Sequence, residues 1–422
     1  MEKYNEYKDT GIDWLPKLPS HWRLEQLRKY ISLVSIKGHP EKQLLSVTRE
    51  QGVIVRDTES KEENHNFIPE DLSGYKYVQK GQFVINKMKS WQGSYGVSEY
   101  EGIVSPAYFV CDLCFPNKKF FSLAIRSRNY VSFFAQYSKG IRVGQWDLSP
   151  IALKSIPFFE PPIAEQEKIV RFIESKTLNI DTYVAERERE LQLLNELKES
   201  EIANIVTRGL NPDVRMKDSG IPWIGMIPEH WNTTRIKTIL SESKEKTDID
   251  GGTLLSLSQY TGVTLKDNAK KVGMFEAEST VGYNIVHPGQ FVMNIMLAWN
   301  GSYAVSDYEG VISPAYSVFN FNTDCEKKYF HYLWRLPAYA GAFKTQSKGI
   351  IDSRLRLYPI YFLAFKTIVP PIEEQKAIVK YIEEKTNKID SLICELQSEI
   401  EYLKEYKQKL IADCVTGQIK VD

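Results

Sequence analysis

The chain is written twice. The run Gly11, Ile12, Trp14, Pro19, His21 and Trp22 returns about 209 residues later as Gly220, Ile221, Trp223, Pro228, His230 and Trp231. The middle also returns. Gly81-Gln82-Phe83-Val84, Trp91, Gly93-Ser94-Tyr95 and Ser105-Pro106-Ala107-Tyr108 become Gly289-Gln290-Phe291-Val292, Trp299, Gly301-Ser302-Tyr303 and Ser313-Pro314-Ala315-Tyr316. Each copy closes on Pro-Pro-Ile (Pro161 to Ile163, Pro370 to Ile372) followed by Glu165-Gln166 or Glu374-Gln375. Solenoid repeats have units of about 20–50 residues, so a period this long means two complete domains, each with its own core. A chain so built presents two equivalent surfaces, which suits a target that comes in two halves.

From Trp22 to about Pro157 the pattern is strand-like. Leu44-Leu45-Ser46-Val47, Gly52-Val53-Ile54-Val55, Gln82-Phe83-Val84-Ile85 and Gly102-Ile103-Val104 are short β-rich runs between Gly, Pro and polar clusters. Helical spacing appears between Phe120 and Tyr137, so each domain is predicted to be α+β. After the double proline the period changes. Val170, Ile173, Thr177, Ile180, Val184, Leu191, Leu194 and Ile205 follow 3-4 spacing, with Arg187, Lys198 and Glu201 as polar interruptions. Val379, Ile382, Thr386, Ile389, Ile393, Leu396, Ile400, Leu403, Leu410 and Cys414 repeat it, with Lys407 in the place of Lys198. Such a seam over about five heptads argues for coiled-coil packing, and each helix has the other copy as its nearest partner. The expected architecture is two similar globular domains and two long helices paired as an antiparallel coiled coil, with pseudo-twofold symmetry. Its boundaries are 1–160, 161–212, 213–369 and 370–422.

Composition narrows the class. Lysine plus arginine and aspartate plus glutamate both number 54, so the formal net charge is zero and says nothing for or against nucleic acid. Five cysteines without framework spacing fit a reducing compartment. The polar N-terminus and the lack of a long apolar run predict a cytoplasmic protein without a signal peptide or membrane span.

No catalytic constellation is visible. The Ser-Pro-Ala-Tyr loops resemble the Pro-Pro-Tyr loops of amino-methyltransferases, but alanine replaces the second proline and no glycine-rich S-adenosylmethionine cradle accompanies them. They read as turns. Cys111 and Cys114 form a lone CxxC whose counterparts are Phe319 and Asn322; a tetrahedral site wants four ligands, so they read as buried thiols. His21 and His230 lack a carboxylate at fixed spacing in the sequence and read as structural.

Nucleic-acid signals are stronger. Lys76, Lys80, Lys87 and Lys89 surround Trp91-Gln92; Lys118, Lys119, Arg126, Arg128, Lys139 and Arg142 follow. Copy two offers Lys327, Lys328, Arg335, Lys344, Lys348, Arg354 and Arg356. Long cations neutralise phosphates, and Arg, Asn and Gln pair with base edges. The copies share a framework but differ at selected positions. Lys87 and Lys89 become Ile295 and Leu297, while Arg142, Gln145 and Asp147 give way to Ile351, Arg354 and Arg356. The predicted DNA-contacting set is therefore Lys87, Lys89, Gln92, Lys139, Arg142 and Gln145 in copy one, and Asn300, Lys348, Arg354 and Arg356 in copy two.

On the duplicated Gly-Ile-x-Trp…Pro-x-His-Trp opening, the Gly-Gln-Phe-Val-x-Asn-x-Met…Trp-x-Gly-Ser core and the Pro-Pro-Ile-x-Glu-Gln helix start, the chain resembles the DNA-specificity subunit of type I restriction-modification systems. The resemblance covers essentially the whole chain. It implies two target-recognition domains reading the halves of a bipartite double-stranded DNA site, with the helices setting the unread gap. It also implies a subunit without catalytic centre, metal or cofactor of its own. Two methyltransferase subunits using S-adenosylmethionine and two restriction subunits using ATP and Mg would be its partners. The seam from Val170 to Ile205 spans about 36 residues, or roughly 54 Å, longer than one turn of B-DNA at about 34–36 Å. A self-sufficient adenine methyltransferase and a coiled-coil scaffold without DNA binding are the competing readings.

Overall fold

The computed structural model describes residues 2–57, 68–140, 146–266, 279–349 and 355–421. The chain divides into two compact units, Met1–Arg189 with Gln397–Asp422, and Glu190–Leu396. Each long helix, Ile163–Arg208 and Ile372–Val415, contributes one portion to each unit.

In the first unit a four-stranded antiparallel sheet runs in the order Ile31–Val34, Phe109–Leu113, Phe83–Ile85, Tyr95–Val97. Its middle strands are apolar on both faces, and alternation sends neighbours to opposite sides. Phe83, Ile85 and Cys111 enter a large aromatic core with Tyr95, Phe121, Phe134 and Phe158. Val84 and Val110 enter a smaller cluster with Leu45, Val47, Val53, Val78 and Val104. That second cluster is roofed by the hairpin Leu45–Thr48 with Gly52–Val55 and by the pair Lys76–Val78 with Gly102–Val104. The helical stretch is broken in two, Lys118–Ile125 and Arg128–Tyr137, because Ser127 is extended (ψ 152°) between them. Asn117 caps the first by accepting from Phe120 N.

The second unit repeats this plan with Leu240–Glu242, Tyr316–Phe321, Phe291–Asn294 and Tyr303–Val305, again antiparallel, and again with a large and a small core. The chain is thus α+β, as its strand-rich halves and 3-4 seams predict.

The helices begin immediately after Pro161-Pro162 and Pro370-Pro371. No predicted seam position is exposed: Val170, Ile173, Val184, Ile205, Val379, Ile382, Ile400, Leu410 and Cys414 are buried and the others half-buried. In the first unit Asp181 meets Lys407 at 2.6 Å and Arg187 meets Glu399 at 3.6 Å, which makes the pairing antiparallel. In the second, Lys198 meets Asp390 at 2.6 Å, the same bridge one repeat later. The lysines that interrupt the apolar seam are therefore its polar registry marks. The first helix ends at Arg208 with Gly209 at φ 77°, lying against Trp231. The second ends at Val415, and Gly417 at φ 70° lies against Pro19 and Trp22. In the first unit the C-terminal segment closes on the N-terminal one, with Lys420 N donating to Glu2 O at 2.9 Å.

Candidate nucleic-acid interface

In each domain two loops are tied together by the backbone. In the first, the strand Phe83–Ile85 runs through Asn86 into a turn closed by the 3-10 segment Ser90–Gln92, with Gly93 at φ 97°. The turn is held from below: Lys89 N donates to Asn86 O, Trp91 Nε1 to Met88 O at 3.2 Å, and the buried Asn86 Nδ2 to Tyr108 Oη at 3.1 Å. The second loop is a hairpin whose root is the pair Lys139 and Asp147, each N–H donating to the other's carbonyl at 3.0 and 2.9 Å. Leu148 N donates to Lys87 O at 3.1 Å and joins hairpin to turn. Lys87 Nζ meets Asp147 Oδ2 at 2.9 Å, and Trp91 packs on Trp146 with ring centroids 5.2 Å apart.

The second domain rebuilds this backbone with other side chains. Leu297 N donates to Asn294 O, Trp299 Nε1 to Met296 O at 3.0 Å, and Gly301 closes the turn at φ 93°. Lys348 and Arg356 root the hairpin with reciprocal bonds of 2.9 Å, and Leu357 N donates to Ile295 O at 2.9 Å. Where the first domain packs Trp146, the second buries Leu355 and lays Lys344 over the Trp299 ring at 5.1 Å.

No family model matches the chain. The type I restriction enzyme MjaVIII specificity subunit of Methanocaldococcus jannaschii is 24% identical over 324 residues, covering 72% of this chain and 70% of that protein. A protein of the same organism provisionally named the MjaX specificity subunit is 22% identical over 460 residues, covering 99% and 98%. A solved structure described under complex assembly and conformational transition of the type I R-M system superposes with TM-score 0.66 at 12% identity, covering 96% of this chain and 100% of that one. The similarity runs through both domains and both helices. The chain is a homologue of type I restriction specificity subunits.

In this specificity-subunit homologue the structure gathers Lys87, Lys89, Gln92 and Lys139 on the two tied loops of one domain, and Asn300, Lys348 and Arg356 on those of the other. Arg142, Gln145 and Arg354 lie outside the described residues, as does most of the divergent segments 56–74 and 266–282. Lys87 is ion-paired, Lys348 lies over the Tyr361 ring at 5.3 Å, and Asn300 Oδ1 accepts from Ser302 Oγ at 3.0 Å.

Five other cations of the sequence are framework. Arg126 donates to the carbonyls of Tyr95, Arg49 and Glu50, and Arg335 to those of Tyr303, Gln259 and Tyr260; burial lowers the pKa of both. Lys119 meets Glu174 and Lys328 meets Glu383, each at 2.7 Å, tethering domain to helix. Lys76 Nζ donates to Tyr108 O at 2.6 Å. One signal separates most of them: framework cations such as Arg126/Arg335 and Lys119/Lys328 recur at the same repeat position, whereas the loop positions Lys87, Lys89 and Asp147 change; the loop lysine Lys139, which recurs as Lys348, is the exception.

Two readings need correction. His21 and His230 do have carboxylates, 144 residues away in each copy: Glu165 Oε1 at 2.6 Å from His21 Nε2 and Glu374 Oε1 at 2.8 Å from His230 Nε2. The second oxygens accept from Trp22 Nε1 (2.8 Å) and Trp231 Nε1 (2.5 Å). The group latches the domain's opening to the first turn of the helix, where a carboxylate also suits the helix dipole. Of the CxxC thiols only Cys111 is buried; Cys114 is exposed, its Sγ donating to Tyr30 O. Three residues apart on an extended segment, the two side chains face opposite ways and cannot share a metal. The Ser-Pro-Ala-Tyr loops are turns, as read, with Tyr108 N bonded to Ser105 O and Tyr316 N to Ser313 O.

Proposed function

We propose that this chain is the DNA-reading subunit of a type I restriction-modification complex. Each domain reads one half of a bipartite duplex site, and the long helices serve as the spacer. The observation that carries the reading is the pair of tied loops, built twice on the same backbone hydrogen bonds and carrying different polar side chains. A scaffold under one selective demand would repeat its tips along with its framework. Two readers of different sequences would keep the framework and vary the tips, since phosphate contacts position and base contacts specify.

The reading leaves chemistry to partners. Methyltransferase subunits would bring S-adenosylmethionine, and restriction subunits ATP and Mg. Leu178, Leu193, Leu197 and Leu392 stay exposed on otherwise charged helices, which suits docking of partner subunits. The test is genome-wide sequencing of modified adenines in the source cell with and without this gene. Loss of one bipartite motif on deletion is the expected outcome. A modification map that does not change overturns the proposal.

A further inference from the structure

The two domains do not carry their charge on the same loop. Apart from the root lysine that both share, Lys139 and Lys348, the described cations of the first sit on the turn, and Lys87 is neutralised by Asp147 at the hairpin root, leaving Lys89. In the second, the turn is apolar, with Ile295 and the exposed Met296 and Leu297, and the cation has moved to the hairpin root as Arg356. Lys87 and Asp147 correspond to Ile295 and Arg356, so a paired plus and minus has become a neutral and a plus. The backbone beneath is the same, Leu148 N on Lys87 O and Leu357 N on Ile295 O.

Arg356 is placed to read rather than to hold. Its neighbours Leu355 and Leu357 are buried, so alternation turns its side chain outward from a backbone fixed by two bonds to Lys348. Among the described residues its guanidinium has no hydrogen-bond or ion-pair partner. An arginine on a rigid root presents a planar fork, which matches the O6 and N7 acceptors of guanine, while the apolar turn beside it suits a thymine methyl.

We infer that Arg356 reads a guanine edge in the half-site of the second domain, and that the first domain closes the equivalent position with the Lys87–Asp147 pair and reads from its turn instead. The inference rests on the DNA-reading function proposed above. Binding-site selection from a random duplex pool, using the full chain, tests it. The wild type should select a bipartite motif. R356A should lower the preference for one guanine in one half by between about fivefold and a hundredfold, with the other half intact. R356K should lose the same preference, because an ammonium keeps the charge but not the fork. The double variant K87I/D147R, which gives the first domain an outward arginine, should change the other half alone. Uniform weakening by R356A, retention of the preference in R356K, or unchanged selection overturns the inference while leaving DNA reading in place. A wild type that selects no bipartite motif overturns both.

Discussion

Removing the Glu165 carboxylate should loosen the first domain from its helix, and the loss can be worked from the contacts. Glu165 accepts from Trp22 Nε1 at 2.8 Å, from Tyr4 Oη at 3.1 Å and from His21 at 2.6 Å. Trp22 is fully buried, so Glu165→Ala leaves its indole N–H without its acceptor, at about 1–3 kcal/mol. Tyr4 and His21 retain access to water and contribute little. The carboxylate in the first helical turn adds about 0.3–1 kcal/mol through the dipole. The expected loss is therefore about 1–4 kcal/mol, and at about 2–4 °C per kcal/mol the shift is well within calorimetric resolution. Glu165→Gln keeps a neutral acceptor for Trp22 and should lose roughly half as much. Glu374→Ala, which strips Trp231 of its acceptor in the second unit, should behave alike although Asp213 stands where the first copy has Tyr4. A Tm for Glu165→Ala within a degree of wild type would refute the hydrogen-bond accounting.

Three further outcomes are expected. Arg126→Met and Arg335→Met should each destabilise by about 1–3 kcal/mol in denaturant titrations, by stranding the carbonyl oxygen of the buried Tyr95 or Tyr303, yet leave the salt dependence of DNA binding unchanged. Gly417→Ala should cost about 1–2 kcal/mol of left-handed strain and more from a Cβ 2.5 Å from Pro19 Cγ; Gly209→Ala, whose Cβ comes no closer than 3.2 Å, to the Trp231 ring, should cost less by the same assay. Burial, then Arg335 and Lys328, push the His331 pKa down to about 3, and its Nδ1 accepts from Val305 N. The neutral ring is favoured in the fold, so stability is full above pH ~6.5 and falls as pH drops from there toward about 3. Because the ring keeps partial contact with solvent, the loss at pH 5 should stay below about 2 kcal/mol. His331→Gln should flatten stability between pH 6.5 and 5, and an unchanged slope would sink this assignment.

Much of the candidate site was legible only through the comparison of copies. Lys87, Lys89 and Arg356 stand out because framework residues on either side repeat while they change, and the structure places them on loops bonded to each other. Arg126 and Lys119 looked equally basic in the sequence. Their roles depend on carbonyls and carboxylates that approach from 31 to 77 residues away, and no local pattern records that distance. The Phe120–Tyr137 stretch shows the same limit: its spacing is helical throughout, but a single extended residue at Ser127 breaks it into two helices.

The sequence by itself determined the duplication, the α+β character of each copy and the seams of both helices, because period and turn chemistry are local and repeat with the chain. Tertiary structure alone decided which charges are available. Lys87 and Arg356 are both cations on loops in the sequence, but only the fold sets Asp147 2.9 Å from the first. It likewise joins His21 and Trp22 to Glu165 across 144 and 143 residues. Electrostatic pairing falls off with distance in space, not along the chain, and so it becomes readable only when the chain is folded.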